Sequence, residues 1–271
     1  MRFDSYAQNF EDIMLYRALK EVERGFYVDV GANDPLNNSV TRSFYEIGWR
    51  GINIEPVYSL FEKLVRYRPN DINLQIAMSD RVGQCDFWEI ITNTGLSTLD
   101  YKIAEKHKRE YGLLSNNYIV KVDTLTNICK KFLVREIHFL KIDVEGWENL
   151  TIKGLDLKRI RPWIILIEST APMSQEPIYQ IWEPLILENG YHFIYFDGLN
   201  RFYLANEHSE LDVRFSSPPN VFDNFEIKSE DHWLIRSEIE EKKRLEESLS
   251  LEIEEKKRLE MILQKILSSQ L

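Results

Sequence analysis

The feature that most constrains this chain is the run FYVDVGAN at residues 26–33. Extended, mostly apolar residues that end on a glycine describe a buried strand turning sharply into a loop. A glycine there lets a ligand approach the main chain and opens a strand-to-helix connection. Similar runs recur at residues 51–55 (GINIE), 72–77, 137–142 (IHFLKI) and 163–167 (WIILI). Helical spacing of apolar residues lies around them, at residues 10–19, 39–47 and 57–67. Alternation of this kind predicts βαβ units and a mostly parallel sheet. Residues 191–196 and 201–204 flank DGLN at 197–200, which reads as a hairpin turn and adds an antiparallel edge.

The loop after the first run, GANDP at 31–35, holds one glycine. Dinucleotide sites use G-x-G-x-x-G to bring the main chain against a pyrophosphate. One glycine serves a pyrophosphate poorly, but it suits S-adenosylmethionine, which has no phosphate. Glu55 follows Gly31 by 24 residues and closes the next strand. A carboxylate in that place can accept both ribose hydroxyls. Taken singly, Glu55 reads equally as a surface acid and the glycine run as an ordinary turn. On consecutive strands at this spacing, the ligand reading is favoured.

Other acids fall where strands run out. Asp80, in Ala77-Met78-Ser79-Asp80, is placed either to accept from an adenine amino group or to close a turn. Asp143 and Glu145, in LKIDVEG, stand two residues apart at the end of the fourth strand. They read either as caps for the next helix or as acids beside the transferred group, one of them taking a hydroxyl proton. Asp143, Glu145 and Glu168 are the acids a divalent metal would use. No ligand spacing compels a metal, and none is expected. The hairpin offers His192, Asn200 and Arg201 to an acceptor, with His192 as the reserve base. His138 and His208 read as structural, and Trp147, Trp163 and Trp182 as core aromatics.

Composition narrows the partners. A net charge of −10 argues against a nucleic-acid backbone. The two cysteines, Cys85 and Cys129, form no CxxC pair, so neither a zinc site nor a disulfide framework is expected. No apolar stretch is long enough to span a bilayer, and the acidic start MRFDSYAQNFED is not a secretory signal. A cytoplasmic location is expected.

Beyond about residue 232 the composition changes. EIEEKKRLE occurs at 238–246 and again at 252–260, a repeat of 14 residues, or two heptads. Ile239, Leu245, Leu249, Ile253, Leu259, Leu263 and Leu267 form a narrow apolar stripe. A long charged helix over 234–271 follows, able to form a coiled coil with a second copy or a partner. Lys242 and Glu246 fall in the seam of one register, which leaves the oligomeric state open.

Several runs together resemble the FkbM family of methyltransferases. They are SYAQNFEDIML (5–15), FYVDVGAND (26–34), FYEIGWRGINIEP (44–56), RPND (68–71) and LKIDVEGWE (140–148). FDGLNRFYLANEH (196–208) resembles members attached to sugar-modifying enzymes. Pro35 stands where the family often has glycine. The resemblance implies a Rossmann-like class I methyltransferase fold over residues 1–230, a mostly parallel seven-stranded sheet with an antiparallel C-terminal hairpin. It also implies S-adenosylmethionine as cofactor and a hydroxyl of a sugar or glycan as acceptor. Asp29, Gly31, Asn33 and Glu55 would line the cofactor. Gln8 and Glu11 would close the site, Ser79 and Asp80 would meet the adenine, and Asp143 would lie beside the methionine portion. Two rival readings remain: a nicotinamide-dependent oxidoreductase, and a degenerate scaffold within a glycan-assembly complex.

Overall fold

The computed structural model describes residues 2–229 and 232–268. These divide into two compact units, 1–229 and 230–271. The first is built on a seven-stranded sheet. Its strands are β1 (Phe26–Val30), β2 (Arg50–Ile54), β3 (Ile72–Leu74), β4 (Phe139–Ile142), β5 (Ile164–Glu168), β6 (Tyr191–Phe196) and β7 (Asn200–Ala205). They lie in the order β3-β2-β1-β4-β5-β7-β6. β7 runs antiparallel to both of its neighbours, and the other pairings are parallel. The strand order reverses between β1 and β4, where crevices open at the carboxyl ends of parallel strands.

Alternation along each strand sorts the core into two layers. Val28, Ile52, Leu140 and Ile165 are in register and pack on one face. Tyr27, Phe139, Ile164 and Phe202 pack on the other. Both faces are apolar because helices cover both, as parallel sheets require. The helices of this unit are α1 (Glu11–Leu19), α2 (Arg42–Glu46), α3 (Tyr58–Tyr67), α4 (Tyr101–Tyr111), α5 (Leu125–Lys131), α6 (Glu148–Lys153) and α7 (Glu183–Leu187).

The structure departs from the sequence reading in three places. The run at 72–77 divides: Ile72–Leu74 joins the main sheet, while Ala77–Met78 pairs with Ser115–Asp123. Ser115–Asp123 also pairs antiparallel with Gly83–Ile90, which makes a separate three-stranded sheet over a third core of Val57, Leu60, Phe87, Leu99 and Val122. The predicted helix at 39–47 shortens to Arg42–Glu46. Its first residues are drawn off by buried Arg68, whose guanidinium donates to Ser39 Oγ (2.7 Å), Thr41 Oγ1 (2.6 Å) and Pro35 O (3.0 Å). That bond also fixes the loop at Pro35.

The second unit is α8 (Arg236–Ser268). Leu245, Leu249, Ile253 and Leu259 of the apolar stripe are exposed. The side chains of Ile239, Leu263 and Leu267 lie outside those described. No described helix is long and apolar enough to cross a membrane.

Candidate active site

A cleft opens over the carboxyl ends of β1, β2 and β4. One wall is the loop after β1. Gly31 has φ +74°, and a Cβ added there would stand 1.8 Å from Asp143 O. The β1 and β4 loops therefore touch through their main chains, and only glycine fits. Asn33 follows with φ 53° and donates its N–H to Glu55 Oε2 at 2.9 Å. Val57 N–H donates to Glu55 Oε1 at 2.8 Å. Each oxygen of this carboxylate keeps a lone pair for a ligand hydroxyl. Burial raises the Glu55 carboxyl to about 7, against the two main-chain donors and Lys141, which lower it.

The opposite wall is the loop after β4. Asp143 N donates to Val30 O, and Glu145 takes a left-handed conformation at φ 51°. Such a backbone persists only where its surroundings fix it. Glu148 Oε1 accepts from Val144 N (3.2 Å) and Gly146 N (3.1 Å), and Thr98 Oγ1 donates to Glu145 O (2.8 Å). Ile76, Phe87 and Leu99 supply an apolar floor beside polar Thr94 and Ser97. Phe87 and Leu99 belong to the three-stranded sheet's core, so that sheet and its connection form a rim of the cleft.

Acids dominate the site. One carboxylate oxygen from each of Asp143, Glu145 and Glu168 lies within 4.8 Å of the others. Burial first, then neighbouring acids including Asp143, holds Glu145 and Glu168 well above the usual carboxylate range. The nearby cation is Lys141. Its Nζ donates to Gly31 O (2.9 Å) and lies 3.4 Å from Asp29 Oδ1 and 3.3 Å from Asp143 Oδ2. Burial opposes its charge, but Asp29 and Asp143 outweigh burial and raise its proton affinity. Among the described residues lining the cleft there is no lysine or arginine.

The structure brings Gly31, Asn33, Glu55, Asp143 and Glu145 together around the cleft. The remaining candidates stand elsewhere. Asp29 is 1% exposed and holds Thr41 and Lys141 from beneath. Ser79 is buried and donates to Asp80 Oδ1, and Asp80 is exposed; the cleft is lined by their neighbours Ala77 and Met78. Gln8 is exposed and does not line it. Glu11 Oε1 accepts from Asn200 Nδ2 at 2.9 Å, and that amide also donates to Asp197 Oδ2 at 3.0 Å. Burial and Asp197 push Glu11 up to about 8. Asn200 stands in register opposite Glu168, so this network adjoins the acid cluster. Arg201 donates to Glu183 and Tyr203 and stacks over Tyr179 and Phe193. The ring of His192 is held between Asn206 and Asp212, away from the cleft lining. Trp163 stacks on His208, and Trp182 is buried in the core.

Sequence reasoning assigned no role to Lys141, Glu148, Thr98 or Phe87. Lys141 carried a signal, a charge inside an otherwise apolar strand, since lysine is almost never buried unpaired. Thr98 and Phe87 carried none, because the three-stranded sheet that presents them was not anticipated.

Residues 29–193 match the methyltransferase FkbM domain family. Among solved structures the chain is similar to methyltransferase FkbM from Methylobacillus flagellatus KT, at 15% identity and a TM-score of 0.40. That match covers 67% of this chain and 44% of the Methylobacillus protein, so the chain spans less than half of its length. It is also similar to a TehB-like SAM-dependent methyltransferase from Corynebacterium glutamicum ATCC 13032 Kitasato. There the identity is 8% and the TM-score 0.37, with 72% of this chain and 87% of that one covered. No curated protein matches the chain.

Proposed function

The chain belongs to the FkbM methyltransferase family, and from that premise we propose that it transfers a methyl group from S-adenosylmethionine to a hydroxyl of a sugar or glycan. The observation that carries the cofactor reading is the charge of the cleft. Its lining presents Glu55, Asp143 and Glu145 and no basic side chain among the described residues. S-adenosylmethionine carries a sulfonium and an ammonium against one carboxylate. A pyrophosphate cofactor would bring two negative charges into the same acidic space.

The bound cofactor would supply the electrophilic methyl and its leaving group, so the protein's work is orientation and proton removal. Glu55 accepts the ribose hydroxyls, held in place by Asn33 N and Val57 N. Ile76, Phe87 and Leu99 shelter the base from water. Asp143 meets the ammonium of the methionine portion. Asp143 or Glu145 accepts the proton of the acceptor hydroxyl. Orientation is worth about 10⁵ M or more in effective concentration, and a positioned base about 10²–10⁴-fold. Positioning therefore carries more of the rate than either acid.

We also infer that α8 joins a second copy or a partner through its apolar stripe, because Leu245, Leu249, Ile253 and Leu259 are exposed. The activity is tested by incubating the protein with S-adenosylmethionine and a panel of nucleotide sugars, free sugars and lipid-linked glycans. Mass spectrometry should find a methyl group on a sugar hydroxyl. Cofactor binding with methylation only of non-sugar acceptors would overturn the glycan reading.

A further inference from the structure

Three carboxyl groups crowd together beside the cleft. Oxygens of Asp143, Glu145 and Glu168 converge within 4.8 Å of one another. Asp143 and Glu145 lie in the loop after β4, and Glu168 closes β5, the parallel strand beside it, so neighbouring strand ends bring the three together. Lys141 cannot balance all three. Its ammonium is already engaged by Gly31 O, Asp29 and Asp143, and an ammonium has three donors. The charges acting on Glu168 are Asp143, Glu145 and Glu148, all acids.

A second observation is independent of the clustering. Glu168 is 9% exposed, and no donor group reaches its buried Oε2, which faces only another acid, Asp143; the buried Oε2 of Glu145 likewise has no donor. Buried polar oxygens are nearly always satisfied, and an orphaned one calls for an unseen ligand or strain. Two orphaned carboxylate oxygens in one cluster call for a cation.

We propose that Asp143, Glu145 and Glu168 bind one divalent cation of the oxygen-seeking kind, Mg²⁺, Mn²⁺ or Ca²⁺. This departs from the sequence expectation of no metal. The donor set is carboxylate only, which suits hard cations and not zinc or copper. The spacing suits them as well. Oxygens on opposite sides of Ca²⁺ stand about 4.6–5.2 Å apart, and of Mg²⁺ about 4.0–4.2 Å, from their usual bond lengths. The three oxygens all lie within 4.8 Å of one another, close enough to converge on one such ion. Three protein oxygens leave open positions for two neighbouring hydroxyls of an acceptor. That use of the ion rests on the methyl-transfer reading, whereas the site itself does not.

The test uses the full chain, stripped with a chelator and titrated with Mn²⁺ while electron paramagnetic resonance follows the free ion. One Mn²⁺ should bind per chain and be displaced by Mg²⁺. Glu168→Gln and Glu145→Gln should each weaken Mn²⁺ by about 10-fold or more, as loss of a supporting group alone does at metal sites. Glu168 does not line the cleft, so Glu168→Gln should keep its S-adenosylmethionine affinity, which also shows that the variant folds. Three results would overturn the proposal: no bound Mn²⁺ at about 1 mM, the weak end of such sites; unchanged Mn²⁺ binding in a folded Glu168→Gln; or one-for-one displacement of Mn²⁺ by S-adenosylmethionine, which would make the cluster the cofactor's ammonium site. Loss of metal binding with cofactor binding intact removes this inference alone. Failure of the wild-type chain to bind S-adenosylmethionine would instead remove the methyl-transfer reading.

Discussion

Replacing Glu55 by Gln separates the two tasks that this side chain performs. The amide keeps the size but offers one accepting oxygen where the carboxylate offers two. Asn33 N and Val57 N both point at the group, so one of them loses its acceptor, at about 1–3 kcal/mol for a buried orphan. Against that, the native carboxyl is raised by burial from 4.5 to about 7. Keeping it ionised at pH 8 therefore costs the fold about 3 kcal/mol, which a neutral amide avoids. The two nearly offset, and the melting temperature at pH 8 should move by only a few degrees. The sign with pH follows. A folded pKa above the unfolded one gives stability that is full below about 4.5 and lost as pH rises through about 7, and Glu55→Gln should lack that part of the wild-type dependence. Cofactor affinity has no such compensation. Losing one hydrogen bond to a charged acceptor removes about 1.5–3 kcal/mol, or about 10- to 100-fold in the dissociation constant for S-adenosylmethionine. Calorimetric titration at pH 8 beside a thermal melt reads both. Unchanged affinity in a folded variant would refute the ribose assignment.

Gly31→Ala should abolish cofactor binding. Its Cβ would meet Asp143 O at 1.8 Å, and the left-handed backbone adds about 1–2 kcal/mol of strain, so titration should show no saturation and the melt should fall; a normal affinity would show that the loops part freely. The apo chain should lose stability as pH rises through about 6 to 8, because buried Asp12 and Glu11 hold their protons up to about 6 and about 8 and their contribution is full only below their unfolded values; denaturant midpoints that rise over this range would contradict it. Removing residues 234–271 should lower the mass seen by sedimentation and leave cofactor affinity unchanged, and an unchanged particle size would exclude assembly through α8.

The parts of the fold that could be read from sequence were those buried on both faces. Phe26–Val30 and Ile164–Glu168, buried along nearly their whole length, are strands within a residue of the apolar runs that mark them, since burial demands the pattern. Gly83–Ile90 and Ser115–Asp123 escaped notice because their outer positions, such as Asn116, Asn117 and Lys121, are exposed, and their polarity masks the period of two. The site divides the same way. Gly31, Asn33, Glu55, Asp143 and Glu145 could be placed because each sits where a central strand ends, and strand ends are visible. Ser79 and Asp80 could not, because the run beginning at Ile72 leaves the main sheet after Leu74 and re-forms at Ala77 in another. His192 pairs with Asp212 from a segment with no strand signal, and no spacing in the sequence announces that contact.

The central claim is that an acidic, phosphate-free cleft binds S-adenosylmethionine. Calorimetric titration of the full chain with S-adenosylmethionine and, separately, with NAD tests it most directly. The account predicts saturable binding of one S-adenosylmethionine per chain and none of NAD. Saturable binding of NAD, with no heat from S-adenosylmethionine, would contradict it.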